Sequence, residues 1–285
     1  MTHILGYVFD LNSAASHAIA KDKAATSELL EHSGIPHVEH RLFLDPLEHR
    51  FLPSSGSWRE MLQYAEAHDF LVVCKPNQGT GGKGVFLISC PHELECAVHA
   101  LFRTHRSIAV SPFHHADAEF RVVMLESQTE LAYSKERPAV TGDGASTLTE
   151  LIIRAVEEGS VPSRFADVLA KESSRISRVP LARERVPLTW KHNLAEGAHP
   201  RDVADPGVLS QLTDLAREAT RALGLSVAAV DILRVGGELM VLEVNPGIMM
   251  ESYALVSAEH YKRVKNVYRR LLERVLPDDR EAGEH

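Results

Sequence analysis

The sequence predicts an α/β protein made of α+β lobes, and three observations carry that expectation. Segments of helical and of strand periodicity alternate along the chain. A glycine-rich turn flanked by lysines, residues 75–85, separates two strand-like runs. A second strand pair, residues 227–245, turns on Gly236-Gly237 and carries two acidic residues in otherwise apolar strands. The length, 285 residues, suits one large domain or two to three small lobes around a shared cleft.

Residues 1–20 are mildly apolar and show no decisive period. Asp22 to Ser33 reads as a helix: Ala25, Leu29 and Leu30 fall at helical spacing, and Gly34 with Pro36 gives a stop. Residues 44–58, with Pro46, Pro53, Gly56 and several serines, read as a loop. Trp58 to His68 is a helix capped by Ser57. Phe70 to Lys75 and Val85 to Ile88 are strands, and residues 91–105 a helix. Ser107–Val110, Phe120–Leu125 and Leu131–Ser134 read as strands. Thr147 to Glu158 is a helix after the turn Gly142-Asp143-Gly144. Residues 159–190 are polar, basic and broken by prolines, and no period types them. Val208 to Leu223 is a helix closed by Gly224, and Val227–Val235 with Leu239–Asn245 forms a hairpin. Tyr261 to Val275 is an amphipathic helix with Val264, Val267, Tyr268, Leu271 and Leu272 on one face. The last ten residues, 276–285, read as a flexible tail.

Composition removes several function classes. A net charge of −8 argues against a nucleic-acid partner, because such binding neutralises phosphates with surplus cations. It leaves room for a small anion in a local basic pocket. Three cysteines, Cys74, Cys90 and Cys96, make an odd count without a CxxC pair, which fits a reducing, cytoplasmic compartment. No basic segment precedes an apolar run at the N-terminus, and no apolar run approaches the ~18 residues of a membrane span. Neither a leader nor a membrane partner is expected.

The strongest local signal is Lys75-Pro76-Asn77-Gln78-Gly79-Thr80-Gly81-Gly82-Lys83-Gly84. Glycines let backbone N–H groups approach an anion, and lysines add charge. A Walker A loop requires Gly where Asn77 stands and Ser or Thr where Gly84 stands. A dinucleotide fingerprint is matched by Gly79, Gly81 and Gly84, but that motif must open a helix, and Val85-Phe86-Leu87-Ile88 is strand-like. What remains is a loop between antiparallel strands that covers phosphates as a lid, or an ordinary glycine-rich turn.

In the C-terminal hairpin, a three-residue turn sets Asp231 opposite Glu243, with Asn245 two residues on and on the same face. A two-residue turn changes the parity and weakens the pairing. Two opposed carboxylates repel unless a cation sits between them, and a carboxylate–amide oxygen set suits Mg²⁺. An exposed strand face is the plainer reading.

A Lys-Pro glycine-rich hairpin followed later by Asp…Glu-x-Asn resembles the ATP-grasp superfamily, nearest to cyanophycin-synthetase-like and glutathione-synthetase-like carboxylate–amine ligases. The resemblance covers residues 20–255. It rests also on Asp22-Lys23-Ala24-Ala25-Thr26 through Gly34-Ile35-Pro36, on Glu119-Phe120-Arg121-Val122-Val123 and on Arg137-Pro138-Ala139-Val140-Thr141-Gly142-Asp143-Gly144. Lys191-His192-Asn193-Leu194 and Glu243-Val244-Asn245-Pro246-Gly247 complete the series.

The resemblance implies an ATP-grasp fold, two lobes clamping MgATP, with a short N-terminal segment (residues 1–20) in place of most of the preceding domain. It implies an ATP-grasp domain over 21–275, with a lid lobe at 60–110 and a metal-binding lobe at 111–275. Lys23 and Lys75 contact ATP phosphates, Gly79, Gly81, Gly82 and Gly84 form the lid, and Glu119 binds the ribose. Asp231, Glu243 and Asn245 hold Mg²⁺, two ions bridged by Glu243, with Mn²⁺ as an alternative. Arg121 and Asn193 face the transferring phosphoryl group. The implied reaction joins a carboxylate, of an amino acid or peptide, to an amine through an acyl phosphate, with ADP as product. A kinase-like phosphotransferase is the alternative, and a non-catalytic nucleotide-binding regulator a third. Two departures stand out. Ser111-Pro112 occupies the place of the usual adenine-contacting acid, and Asn193-Leu194-Ala195-Glu196-Gly197 departs from the family's Asn-Leu-x-x-Gly-Gly. The reduced N-terminal domain leaves a homodimer or a carrier-borne substrate open.

Other clusters are weaker. His92, Cys96 and His99 share a helix face, but a solvated helix with a half-buried thiol explains them more simply than zinc. His114-His115 sit in a loop near the expected nucleotide pocket. Cys74 lies inside a strand and reads as a core thiol. Arg175, Arg178, Arg183 and Arg185 form either an anion site or a solvated loop.

Overall fold

The computed structural model describes residues 3–45, 57–79, 81–162 and 177–276. The chain divides into two compact units, residues 1–133 with 202–285 and residues 134–201.

The first unit opens with short strands β1 (Ile4–Leu5) and β2 (Val8–Phe9) and helices α1 (Ala14–Lys21) and α2 (Lys23–His32). Asn12 ties this segment down: its Oδ1 accepts from the backbone N–H groups of Ser226 at 2.9 Å and Val227 at 3.0 Å. Asp22 separates the two helices and caps the second, accepting from the Ala25 N–H at 3.0 Å.

Strands β3 (Arg41–Leu44), β4 (Val72–Pro76), β5 (Phe86–Ile88) and β6 (Ser107–Pro112) form an antiparallel sheet in the order β3-β6-β4-β5. Helix α3 (Trp58–Ala67) starts in a capping box between Ser57 and Glu60, and α4 (Pro91–Phe102) starts at Pro91. Val72 and Cys74 of β4 and Ile108 and Val110 of β6 pack with Met61, Leu94 and Leu101 of these helices. The two-residue period then aims Lys75 at the opposite face. Burial pushes the Cys74 thiol up to about 12, which suits a core residue and not a nucleophile.

Strand β7 (Ala118–Leu125) is followed by β8 (Gln128–Glu136), which leads into the second unit. There β9 (Ala139–Thr141) pairs with β10 (Arg185–Pro187), and α5 (Leu148–Glu157) begins in a second capping box, Thr147 with Glu150. Val140, Leu148, Leu151, Ile152, Ala155 and Val161 make its core. Strand β11 (His199–Asp202) returns the chain to the first unit.

Helix α6 (Pro206–Ala222), strands β12 (Val227–Val235) and β13 (Glu238–Asn245), and helices α7 (Glu251–Ala254) and α8 (Ala258–Val275) complete the first unit. Strands β7, β12 and β13 run antiparallel side by side. Phe120, Val122 and Met124, Ala228, Val230 and Ile232, and Val241 and Val244 pack against Leu212, Leu215 and Ala219 of α6. The alternate positions of all three strands face the other way.

One helix face departs from expectation. Leu272 is 40% exposed, and the buried stripe of α8 is Val264, Val267, Leu271 and Val275. Those four follow i, i+3, i+7, i+11, and Leu272 lies one step off that line. Most of the loop expected at 44–58 and nearly all of the tail expected at 276–285 lie outside the described residues, as does the middle of 159–190.

Candidate nucleotide site

The site begins where β4 ends. Asn77, 1% exposed, is tied to β6 through its own N–H, which donates to the Ser107 carbonyl at 3.2 Å. Its Oδ1 accepts from the Ala24 N–H at 3.1 Å and its carbonyl from the Lys23 N–H at 3.2 Å. One asparagine thus satisfies two of the open N–H groups at the start of α2 and docks that helix on the root of the glycine loop. Lys23 then reaches forward: its Nζ donates to the Gly79 carbonyl at 3.2 Å and lies 4.0 Å from Glu243 Oε2. In the sequence, Asn77 stands within the lysine–glycine run and marks a mismatch to a Walker A loop, with no spacing that signals its docking of α2.

The acidic side is built by a register change. The turn at Gly236-Gly237 has two residues, not three, with Val235 opposite Glu238 and both glycines at positive φ. Continued unbroken, that register sets Leu242 opposite Asp231 and turns Glu243 into the α6 core. A β-bulge intervenes: Ile232 pairs with Val241, and Asp231 with Glu243. Leu242 is the extra residue, and from it onward the side chains of β13 change face. Asp231 therefore does lie opposite Glu243, for a reason other than the expected three-residue turn. The bulge sits where β13 also bonds outward, with the Val241 N–H donating to the Pro36 carbonyl at 2.9 Å and the Val241 carbonyl accepting from the Val38 N–H at 2.8 Å.

Asp231 has Arg121 on its other flank, in register across β7. The guanidinium forks onto the carboxylate, Nε to Oδ1 at 2.8 Å and Nη2 to Oδ2 at 2.7 Å. Asn245 Nδ2 donates to Glu243 Oε1 at 3.0 Å and approaches Asp231 Oδ2 at 3.4 Å. The opposed carboxylates are thus compensated by side chains: Arg121 serves Asp231, and Lys23 approaches Glu243. Burial disfavours the Arg121 charge, yet the adjoining Asp231 carboxylate outweighs it and raises the pKa. Lys75 is 6% exposed. Burial lowers its pKa to about 8, Lys23 pushes the same way, and Glu243 and Glu119 pull back.

The expected site residues are thus distributed as follows. Lys23, Lys75, Gly79, Glu119, Arg121, Asp231, Glu243 and Asn245 all belong to the first unit, and Glu119 is buried on β7 opposite Leu233. In the loop, Gly81, Gly82 and Gly84 take positive φ, and a side chain at Gly81 would meet open space. Asn193 lies in the second unit and caps a 3₁₀ turn, accepting from the Ala195 N–H at 3.0 Å and donating to Glu196 Oε1 at 3.1 Å. Cys96 Sγ is 3.7 Å from His92 Nε2, but among the described residues no three His, Cys, Asp or Glu side chains gather to hold a metal. Of the arginines, Arg178 pairs with Glu184, Arg185 donates to the Arg137 carbonyl, and Arg175 lies outside the described residues. A cation at Asp231 and Glu243 must draw further ligands from Asn245, water or phosphate. That oxygen-only donor set fits a hard divalent ion.

No family model matches the chain. Cyanophycin synthetase of Synechocystis sp. is 25% identical over 234 residues, 75% of this chain and 25% of that protein. The chain thus spans about a quarter of the length of this curated relative. D-alanine–D-alanine ligase from Bacillus anthracis superposes with a TM-score of 0.59 at 15% identity, over 92% of this chain and 70% of that one. The same ligase complexed with ATP gives 0.57 at 15% identity, over 92% and 69%. Bifunctional glutathione synthetase from Pasteurella multocida gives 0.50 at 18% identity, over 92% and 38%. The fold of the chain is that of the ATP-grasp ligases.

Proposed function

We propose that this chain is an ADP-forming carboxylate–amine ligase that activates its carboxylate substrate, of an amino acid or peptide, as an acyl phosphate. The observation that carries the reading is the sorting of charge on one unit: two ammonium groups at the root of a glycine loop, beside two carboxylates and an amide brought onto one face by a β-bulge. The ATP-grasp fold supports it.

ATP is the phosphoryl donor. Lys23 and Lys75 bind its phosphates as point charges, and the N–H groups of Gly79, Gly81, Gly82 and Gly84 cover them. Glu119 receives the ribose hydroxyls. Asp231, Glu243 and Asn245 would hold Mg²⁺, whose contribution when bound is to withdraw charge from the phosphates. Arg121 keeps Nε and Nη2 on Asp231, and Nη1 is not part of that pair. It is the group we assign to the transferring phosphoryl oxygens. A substrate carboxylate oxygen attacks the γ-phosphorus and ADP leaves. An amine then attacks the acyl carbon, phosphate leaves, the amine loses a proton and an amide forms. Phosphorylation is needed because oxide is not a workable leaving group.

Turnover with an ¹⁸O-labelled carboxylate tests the route: one label per amide should appear in released phosphate. Unlabelled phosphate alongside amide overturns it, and phosphate retained on the organic product indicates a phosphotransferase. Glu243→Gln keeps the volume and removes the charge. Calorimetry should show its ATP affinity no longer responding to Mg²⁺.

A further inference from the structure

His40 lies beside this site and has no part in the roles above. It is 6% exposed, and its own N–H donates to Ser27 Oγ of α2 at 3.0 Å. The ring bonds the Val38 backbone, and among the described residues Nε2 has no hydrogen-bond partner. Burial, then the charges of Lys75 and Lys23, lower its pKa well below the usual value, so the ring is neutral and Nε2 carries a lone pair. An unpartnered buried acceptor is costly, and native proteins seldom leave one so.

A cavity of about 10 Å³ adjoins it, with Lys23, Thr26, Ser27, His40 and Glu243 set in an otherwise apolar lining. Its walls come from α2, the segment before β3, and the bulge of β13. That volume holds about one water, and polar side chains on several walls offer the partners a buried water needs. Lys23 uses one N–H on the Gly79 carbonyl and approaches Glu243, and an ammonium has three donors.

We propose that His40 is a positioning residue for Lys23: one buried water donates to His40 Nε2 and accepts from the Lys23 ammonium. The water fixes Lys23 in the rotamer that reaches both the glycine loop and Glu243. The bulged Leu242 lines the chamber, so the residue that turns Glu243 onto the site face also borders the water. This inference rests on the nucleotide-site reading above.

The test compares His40→Leu, which keeps bulk and removes the acceptor, with His40→Gln, whose amide oxygen restores an acceptor at similar reach. ATP affinity by calorimetry and thermal melting are read for both, with Lys75→Met as reference. We expect His40→Leu to bind ATP about tenfold more weakly without a lower melting temperature, and His40→Gln to recover most of that loss. A crystal structure should show the water in the native chamber and none in His40→Leu. Native-like ATP binding by His40→Leu, losses that track melting temperature alike in both variants, or a dry chamber would each overturn the proposal. If Lys75→Met abolishes binding while His40→Leu does not weaken it, only the His40 inference fails. If Lys75→Met also binds ATP normally, the nucleotide reading fails and His40 falls with it.

Discussion

The two glycine hairpins of the first unit place chemical groups by different means. The hairpin joining β12 and β13 turns on two residues at positive φ, so its register is set at the turn and reset once, at Leu242. Every functional group on it is positioned by counting residues along a strand. The hairpin joining β4 and β5 is wide, its innermost strand pair being Cys74 with Phe86. Asn77 and Lys23 hold its root, and beyond the root a side chain at Gly81 would meet no atom within 4 Å. Strand-borne carboxylates are therefore sensitive to register, and loop-borne amides to anchoring.

The comparison predicts its largest effect at the bulge. Inserting one alanine after Leu242 should drive Glu243 and Asn245 into the core with Leu212 and Leu215. Burying an uncompensated carboxylate there costs about 5 kcal/mol or more, and Mg²⁺-dependent ATP binding should vanish. Deleting Leu242 removes the bulge but keeps Glu243 opposite Asp231, so ATP affinity should stay within about tenfold of native. Equal losses from insertion and deletion, by urea unfolding and calorimetry, would show that register is not what the bulge supplies. Next in size is Arg121→Met. It strands Asp231, 2% exposed, without its fork, and should cost about 3–5 kcal/mol. The double variant Arg121→Met/Asp231→Leu should recover most of that stability, and a double variant as unstable as the single would refute the coupling.

The same contrast explains what was legible in the sequence. Helix α2 was readable because Ala25, Leu29 and Leu30 fall at helical spacing and Gly34 with Pro36 gives a local stop. Strands β4 and β5 were readable from their apolar runs, and Lys75 from its place at a strand end. The partnership of Asp231 with Glu243 was reached through the wrong turn length. A bulge has no local signature when its cause is distant, and here Val241 bonds Pro36 and Val38, some 200 residues earlier in the sequence. Arg121 was visible, but its fork onto Asp231 was not, since register between β7 and β12 joins residues 110 apart. Asn77 and His40 act through backbone groups and buried volume, and neither leaves a pattern of spacing to find.

Lys75 gives a smaller effect with a definite pH signature. Its folded pKa of about 8 lies below the ordinary 10.5, so the fold disfavours the charged form. For such a base the cost is full below the folded value, fades as pH rises from 8 to 10.5, and is absent above. Lys75→Met should thus stabilise the protein by about 2–3 kcal/mol at pH 7 and much less near pH 10, while abolishing ATP binding. Urea unfolding at the two pH values measures this. An equal gain at both would trace the stabilisation to packing of the methionine and not to charge.

The smallest effect separates the two hairpins most cleanly, because the same substitution is made in each. Gly236→Asn and Gly81→Asn both put a side chain on a residue at positive φ, 58° and 74°, with no atom within 4 Å of the new Cβ. Asparagine tolerates this backbone region better than other side chains, and it favours the first central position of a two-residue hairpin turn. Each variant should therefore melt within about 0.5 kcal/mol of native. Turnover should divide them. Gly236 lies at the far end of a strand pair whose register asparagine preserves, so activity there should be unchanged. Gly81 belongs to the loop we assign to the phosphates, where a Cβ holds the backbone N–H away from an anion. Its turnover should fall about tenfold at unchanged stability. If Gly81→Asn turns over normally, the glycines of the wide hairpin serve only to make a turn, and the distinction between anchored loop and registered strand loses its functional half.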